Sequence, residues 1–215
     1  LDEARDRSLE HRCLRHRLGC RLALELDLRR RPTTARLMPD QAVQSGYPPR
    51  LRALIATALA LATPVVAGAV VSIALDPPGL AEGLAIALFL GLALLAELKP
   101  VPLEEDDLST VSLAFVFILA GVILFGWEAG VIIAAVSAFA AQLAERKPLV
   151  RTAFNTAVYS LSAFAAALPL FLLGPVVESD PVAITFAALV GGAAFVTVNF
   201  AFISLAISFH QGMPV

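Results

Sequence analysis

The fold is decided by residues 141–159, AQLAERKPLVRTAFNTAVY, which join two long apolar runs. The basic turn at residues 145–148, ERKP, separates these runs, and its proline disfavours a helix that continues through it. Asn155 and Tyr159 follow within the second run. The stretch therefore marks a loop at a membrane surface and two polar side chains that enter the bilayer with a helix.

The composition indicates an integral membrane protein. Of the 215 residues, 58% are hydrophobic and 16% are charged, whereas soluble domains have about 45–50% apolar and about 25% charged residues. Residues 1–52 carry 12 Arg and 7 acidic residues, a formal charge of +5, and residues 53–215 carry 4 basic and 11 acidic residues, a formal charge of −7. Basic residues beside a membrane set orientation and contact anionic lipid. We therefore expect a lipid bilayer as the surroundings and no nucleic-acid partner.

Six apolar segments follow the double proline at residues 48–49. A helix needs about 20 residues, with a range of about 17–25, to cross a hydrocarbon core of about 30 Å. The segments are residues 53–75, 80–98, 109–125, 129–144, 150–173 and 182–209, and residues 126–128 form a very short connection. They predict an all-α polytopic membrane protein with six transmembrane helices over residues 51–210.

The loops predict the orientation of these helices. If the N-terminus is cytoplasmic, the basic residues near the membrane all lie on the cytoplasmic side: Arg50, Arg52, Lys99, Arg146, Lys147 and Arg151. The opposite loops, residues 76–79, 126–128 and 174–181, contain no Lys or Arg. Because cytoplasmic loops are enriched in Lys and Arg, we expect both termini in the cytoplasm and the helices in the inner (plasma) membrane.

Residues 1–50 form a basic segment with conflicting patterns. Leucines recur there at both helical and alternating spacing, so no element is predicted. We expect the segment to be disordered, or not native before Met38, and the alternative is a basic arm at the lipid surface. Cys13 and Cys20, with two histidines nearby, lack the paired short spacings of a zinc site, so no metal is predicted.

Neutral polar residues enter the predicted helices. They are Gln142, Asn155, Tyr159, Asn199 and Ser112. Asn155 and Tyr159 are four residues apart and so share one helix face. Polar groups cannot face lipid without a hydrogen-bond partner, so we expect these side chains inside the bundle. Two interpretations stay open: interhelical hydrogen bonds, each worth about 0.6–2 kcal/mol, or the wall of a pocket for a small ligand.

Acidic residues in the apolar part lie near helix ends, where we expect water to reach them: Glu82, Glu97, Glu128 and Glu145. A proton relay or ion-coupled pump needs ionisable groups in the middle of a span, and the predicted spans have none there. The sequence also lacks the motifs of serine hydrolases, zinc proteases and phosphate-binding loops. We therefore predict a protein that is not an enzyme and has no cofactor.

Three stretches carry a resemblance to a known family: AELKPVPLE at 96–104, LSTVSLAFVF at 108–117 and LAERKPLVRTAFNTAVYSLS at 143–162. They resemble the multi-span, MASE-type membrane-associated sensor regions that precede HD-GYP phosphodiesterase or GGDEF cyclase domains in bacterial signalling proteins. The resemblance covers roughly residues 52–210. It implies a membrane-embedded sensor or input module of cyclic-dinucleotide signalling, whose catalytic domain is not in this chain.

The plan of six spans with both ends inside also looks like the substrate-binding subunit of energy-coupling-factor vitamin transporters, which is the alternative function. In that family, small residues on the first helix dock a partner membrane subunit. Here Ala56 and Ala60, and likewise Ala58 and Ala62, have the matching spacing. Such pairs serve packing inside a bundle or contact with a membrane partner or a second copy, and both interpretations stay open.

Overall fold

The computed structural model of the protein describes residues 47–99, 101–102, 110–174 and 180–211. The predictions about the basic segment before residue 47, including Met38 and the two cysteines, lie outside the described residues. The described residues form a bundle of α-helices.

Helices account for nearly all the described residues. They are α1 (Pro49–Leu75), α2 (Leu80–Leu98), α3 (Ala114–Ala144), α4 (Leu149–Leu173) and α5 (Pro181–Gln211), and the two-residue strands β1 (Val101–Pro102) and β2 (Thr110–Val111) pair antiparallel between α2 and α3. Within the described ranges, five helices are long and apolar enough to cross a membrane. The predicted class, an all-helical membrane protein, is therefore supported.

The backbone of α3 reverses direction at Gly126. This residue has a φ of 88° and a ψ of 171°, a combination open to glycine but strained for other residues. A Cβ placed on Gly121 would lie 3.8 Å from the Cα of Gly130, although nine residues of straight helix span about 13 Å. The two arms of α3, residues 114–125 and 127–144, therefore pack antiparallel. The reversal predicted after the third apolar segment is present.

The predicted start of the third helical segment is wrong. The sequence predicts a helix over residues 109–125, but helix begins only at Ala114, because Thr110 and Val111 pair with β1. The backbone N–H of Ala114 donates a 3.2 Å hydrogen bond to the hydroxyl of Ser112. β-Branched residues favour strands, and a serine hydroxyl that bonds to nearby backbone competes with helix formation.

The other predicted helices agree with the structure to within four residues at each end. α2 has the predicted bounds, and α4 and α5 begin one residue earlier than predicted. α1 begins at Pro49, whose fixed φ and missing N–H suit the first turn of a helix. The second arm of α3 begins directly after the reversal, at residue 127 instead of 129.

The alanine pairs of α1 have different surroundings. Ala58 and Ala62 are buried in a cluster with residues of α4, whereas Ala56 and Ala60 are exposed. α3 packs against α2 and α4, and α4 also packs against α5. One alanine pair therefore serves packing inside the bundle, and the other faces outward.

Contacts between helix ends show how the helices alternate in direction. Ser72, near the end of α1, donates a 2.9 Å hydrogen bond to Glu128, at the start of the second arm of α3. The ring of Trp127 packs against Phe171 near the end of α4, with 6.4 Å between the ring centroids. The end of α1, the reversal in α3 and the end of α4 therefore lie at the same end of the bundle.

Candidate functional site

A carboxylate at the end of α2 accepts hydrogen bonds from two other elements. Oε1 of Glu97 lies 2.7 Å from the hydroxyl of Tyr159 on α4. The same oxygen lies 3.0 Å from the hydroxyl of Ser112, just before α3. One carboxylate thus joins α2, the start of α3 and α4.

Glu97 and Tyr159 border a cavity of about 140 Å³ between the helices. Its lining consists of Glu97 from α2, Ala138 and Gln142 from α3, Asn155, Val158 and Tyr159 from α4, and Asn199 and Ile203 from α5. Four of the five predicted polar residues therefore line one space, and the fifth, Ser112, is hydrogen-bonded to Glu97. The structure brings the polar residues of four helices together at a single place.

The spacing along α4 explains why two of these side chains point the same way. Asn155 and Tyr159 are about one helical turn apart, and both line the cavity. The ring of Tyr159 meets Phe195 of α5 edge to face, with centroids 6.1 Å apart and planes at 89°. Ser162 continues the spacing, but it is buried and donates a 2.8 Å hydrogen bond to the carbonyl of Val158 in its own helix. The polar face of α4 therefore ends at Tyr159.

Two amide oxygens of the cavity accept no hydrogen bond from the described residues. They are Oε1 of Gln142 and Oδ1 of Asn199, and both atoms are buried. Buried polar atoms in proteins nearly always have a partner, and leaving one without a partner costs about 1–3 kcal/mol. Interhelical hydrogen bonding accounts for the hydroxyl of Tyr159 but not for these two oxygens. A polar molecule in the cavity would account for both.

Glu97 is the member of the site that the sequence interpretation missed. Its place at a helix end predicts contact with water, but the side chain is half-buried and bonded to Tyr159. Phe89 and Ala93 precede Glu97 on the same face of α2, but the helix is apolar on all sides, so its sequence does not distinguish this face. Ala93 is fully buried, and Phe89 packs edge to face against Phe125 with centroids 5.5 Å apart. This face of α2 therefore points into the bundle.

A larger cavity of about 420 Å³ adjoins the polar one at the end of the bundle that carries the basic turn. The two cavities share Asn155 and Ile203. The other lining residues of the larger cavity are Tyr47, Leu51, Ile55, Val150, Arg151, Phe154, Ala206, Ile207 and His210. Since most of these side chains are apolar, the concentration of neutral polar groups is confined to the smaller cavity.

A third cavity, of about 380 Å³, lies at the opposite end of the bundle. Its acidic lining residues are Asp76, Glu82 and Glu128, and Glu128 accepts the hydrogen bond from Ser72. Within the described part of the chain, no group of three or more His, Cys, Asp or Glu side chains is placed to hold a metal ion. This cavity therefore gives no support to a metal centre.

Comparison with known proteins adds nothing to the geometry. No protein family, no characterised protein and no solved structure matches the chain. The family resemblance of residues 96–117 and 143–162 therefore stays a prediction.

Proposed function

We propose that the protein is a membrane-embedded sensor, the input module of a bacterial signalling protein of the cyclic-dinucleotide type. The observation that carries this proposal is the convergence of Glu97, Gln142, Asn155, Tyr159 and Asn199 on one cavity, where two buried amide oxygens lack a hydrogen-bond donor among the described residues. Sites for small ligands combine an enclosed, partly apolar space with a few well-placed polar groups. The family resemblance of the sequence points to the same function.

A ligand in the cavity would contact the helix that leads to the membrane surface. Asn199 and Ile203 of α5 line the cavity, and the same helix continues to Gln211. With its 31 residues, α5 is about 46 Å long, which exceeds a hydrocarbon core of about 30 Å. A change at Asn199 can therefore be transmitted along one continuous helix.

The sensor crosses the inner membrane six times, with both termini in the cytoplasm. The antiparallel arms of α3 favour six crossings over five, and the basic residues near the membrane favour this orientation. The first arm, residues 114–125, is about 18 Å long, and together with the residues from 110 onward it reaches about 30 Å. The arm and the segment before it are therefore long enough for one crossing.

The alternative, a substrate-binding subunit of an energy-coupling-factor vitamin transporter, receives less support. Cavities for drug-sized ligands have volumes of about 300–1,000 Å³, whereas the polar cavity has about 140 Å³. The adjoining cavity of about 420 Å³ falls within that range, but its lining is mostly apolar. Ala58 and Ala62 are buried inside the bundle and cannot dock a partner subunit. On α1, this leaves Ala56 and Ala60 as the exposed pair with the required spacing.

The DNA sequence downstream of the codon for residue 215 distinguishes the sensor from the transporter subunit. A cyclase or phosphodiesterase domain encoded in frame supports the sensor. Neighbouring genes for an ATPase and a coupling subunit, without such a domain, support the transporter and contradict the sensor.

A functional test joins the chain to a diguanylate cyclase domain and measures product formation in isolated membranes. The coupling free energy between two sites in a protein is typically at least about 1 kcal/mol, which corresponds to a factor of about five. We therefore expect Asn199→Ala to change the rate of product formation by at least that factor. Leu189→Ala is the matched control, because Leu189 lies on the same helix and is 69% exposed. Equal output from the wild type and a folded, membrane-inserted Asn199→Ala variant would contradict the sensor function.

A further inference from the structure

We propose that the ligand of the polar cavity is a small cation of charge +1, either an inorganic ion or a protonated amine. This inference rests on the proposed function, since it names the chemical class that the same cavity recognises. Three properties of the lining carry it: its charge, its hydrogen-bonding groups and its volume.

The lining carries one acidic group and no basic one. Glu97 supplies a carboxylate, and the other lining residues of the cavity are uncharged. Among the residues that the structure describes, the one salt bridge joins Lys147 to Glu145 in the basic turn. Glu97 therefore has no basic partner among the described residues. Tyr159 and Ser112 supply hydrogen bonds but no charge. Because a charge away from water is costly unless it is paired, the cavity favours a positive guest.

Two buried hydrogen-bond acceptors of the cavity are unmatched. Oε1 of Gln142 and Oδ1 of Asn199 lack a donor among the described residues. A carboxylate accepts at about four positions, and the described residues supply two hydrogen bonds to Glu97. An ammonium group offers three donors and no acceptor, and Na⁺ is bound in membrane proteins by oxygen atoms such as carbonyls. An anion would instead be repelled by the carboxylate of Glu97.

The volume limits the size of the cation. The cavity has about 140 Å³, and an apolar cavity of about 150 Å³ holds one benzene molecule. The guest therefore has at most about six non-hydrogen atoms by this comparison. Ala138, Val158 and Ile203 provide an apolar wall that suits the carbon atoms of a short alkylamine.

Thermal unfolding of the full chain in detergent tests the inference. Trp127 is the only tryptophan of the chain, so its fluorescence reports on the bundle. Sodium, potassium and methylammonium chloride are titrated in turn against N-methylglucamine chloride at constant ionic strength, because N-methylglucamine is too large for the cavity. We expect at least one small cation to raise the Tm in a saturable manner, by about 5 °C at a hundredfold excess over its Kd. The sodium and methylammonium titrations distinguish an inorganic ion from an amine.

Two carboxylate variants localise the effect. Glu97→Gln removes the charge with little change of shape and should abolish the rise in Tm. Glu128→Gln is the matched control, because Glu128 is also half-buried and bonded to a serine hydroxyl, but lines the cavity at the other end of the bundle. If Glu97→Gln does not fold, Asn199→Ala removes another acceptor and should weaken the apparent affinity about tenfold.

Two results would overturn the inference: a Tm that is the same in every chloride salt, or a Glu97→Gln variant that responds like the wild type. The sensor function can fail separately. If acetamide or formate raises the Tm and Asn199→Ala removes that effect, the cavity binds a ligand but the cation class is wrong. If a cation raises the Tm while Asn199→Ala leaves the cyclase output unchanged, the site exists and the sensor function is wrong.

Discussion

The hydroxyl of Tyr159 lies 2.7 Å from the carboxylate of Glu97, and this hydrogen bond links α4 to α2. The link spans two helices whose backbones do not touch, because among the described helices the Cα atoms of α2 come within 8 Å of α3 alone. The hydrogen bond of Glu97 therefore adds a direct link to α4 at the end of α2. The same carboxylate brings α2 to the polar cavity.

Removing this hydroxyl should weaken the fold. A hydrogen bond to a charged group contributes about 1.5–3 kcal/mol, so we expect Tyr159→Phe to lower the free energy of unfolding by about that amount. Trp127 fluorescence during denaturant unfolding in detergent measures the loss. Hydrogen exchange should also rise at the end of α2, because the variant loses the bond that ties this end to α4.

The matched control is Tyr47→Phe. Tyr47 is the other tyrosine of the chain, and it is 43% exposed. Its hydroxyl should contribute less than about 0.5 kcal/mol, as is usual for surface positions. In a Glu97→Gln background, the effect of Tyr159→Phe should fall by at least about half, since the charged acceptor is gone. An unchanged effect would mean that the loss does not come from the hydrogen bond to the charged group of Glu97.

The reversal of α3 should depend on glycine at one position. A side chain at Gly126 would be forced into a backbone conformation that glycine alone adopts readily. We expect Gly126→Ala to lower the free energy of unfolding by about 1–3 kcal/mol. Gly91→Ala is the control, because nothing lies within 4 Å of its added Cβ, and alanine is favoured over glycine inside a helix by about 1 kcal/mol. Equal stability of the two variants would contradict the reversal.

Two adjacent glycines of α5 should respond differently to the same substitution. A Cβ on Gly191 would lie 2.5 Å from the carbonyl oxygen of Ala166, and backbone of α4 cannot move aside easily. A Cβ on Gly192 would lie 3.3 Å from the end of the Leu119 side chain, which can rotate. We expect Gly191→Ala to lower the unfolding free energy by about 1–3 kcal/mol and Gly192→Ala to change it by less than about 1 kcal/mol. Thermal unfolding of the two variants side by side gives the comparison.

Labelling of single cysteines should show how many times the chain crosses the membrane. After Cys13 and Cys20 are replaced by serine, single cysteines are introduced at Lys99, Glu145 or Gly79 and labelled with a membrane-impermeant maleimide. With six crossings and cytoplasmic termini, Gly79→Cys is labelled from outside the cell, and Lys99→Cys and Glu145→Cys are labelled only after the membrane is opened. Labelling of Glu145→Cys but not Lys99→Cys in intact cells would show that α3 crosses once.

The helix bounds and the inward orientation of the polar side chains were predictable from the sequence, because each depends on the pattern of nearby residues. Apolar runs of membrane length, the prolines and the basic turn place α1, α2, α4 and α5 to within four residues. The rule that polar groups avoid lipid predicts that Asn155 and Tyr159 point inward, and both line the cavity.

The remaining features depend on contacts between distant parts of the chain. Glu97 meets Tyr159 across 62 positions of sequence, and the apolar residues around Glu97 give no amphipathic contrast that would show which side of α2 faces inward. Thr110 and Val111 directly precede a long apolar run, and the helix of that run does not extend back to them because they pair with β1. In both places the deciding contact is made with a residue outside the segment whose pattern is considered.

The length of α5 also has a mechanical consequence. Between Asn199 at the cavity and Gln211 the helix rises by about 18 Å. If it pivots near Asn199, a tilt of about 10° displaces Gln211 sideways by about 3 Å. Such a lever would turn the presence of a guest of only a few atoms into a displacement that a neighbouring domain can register.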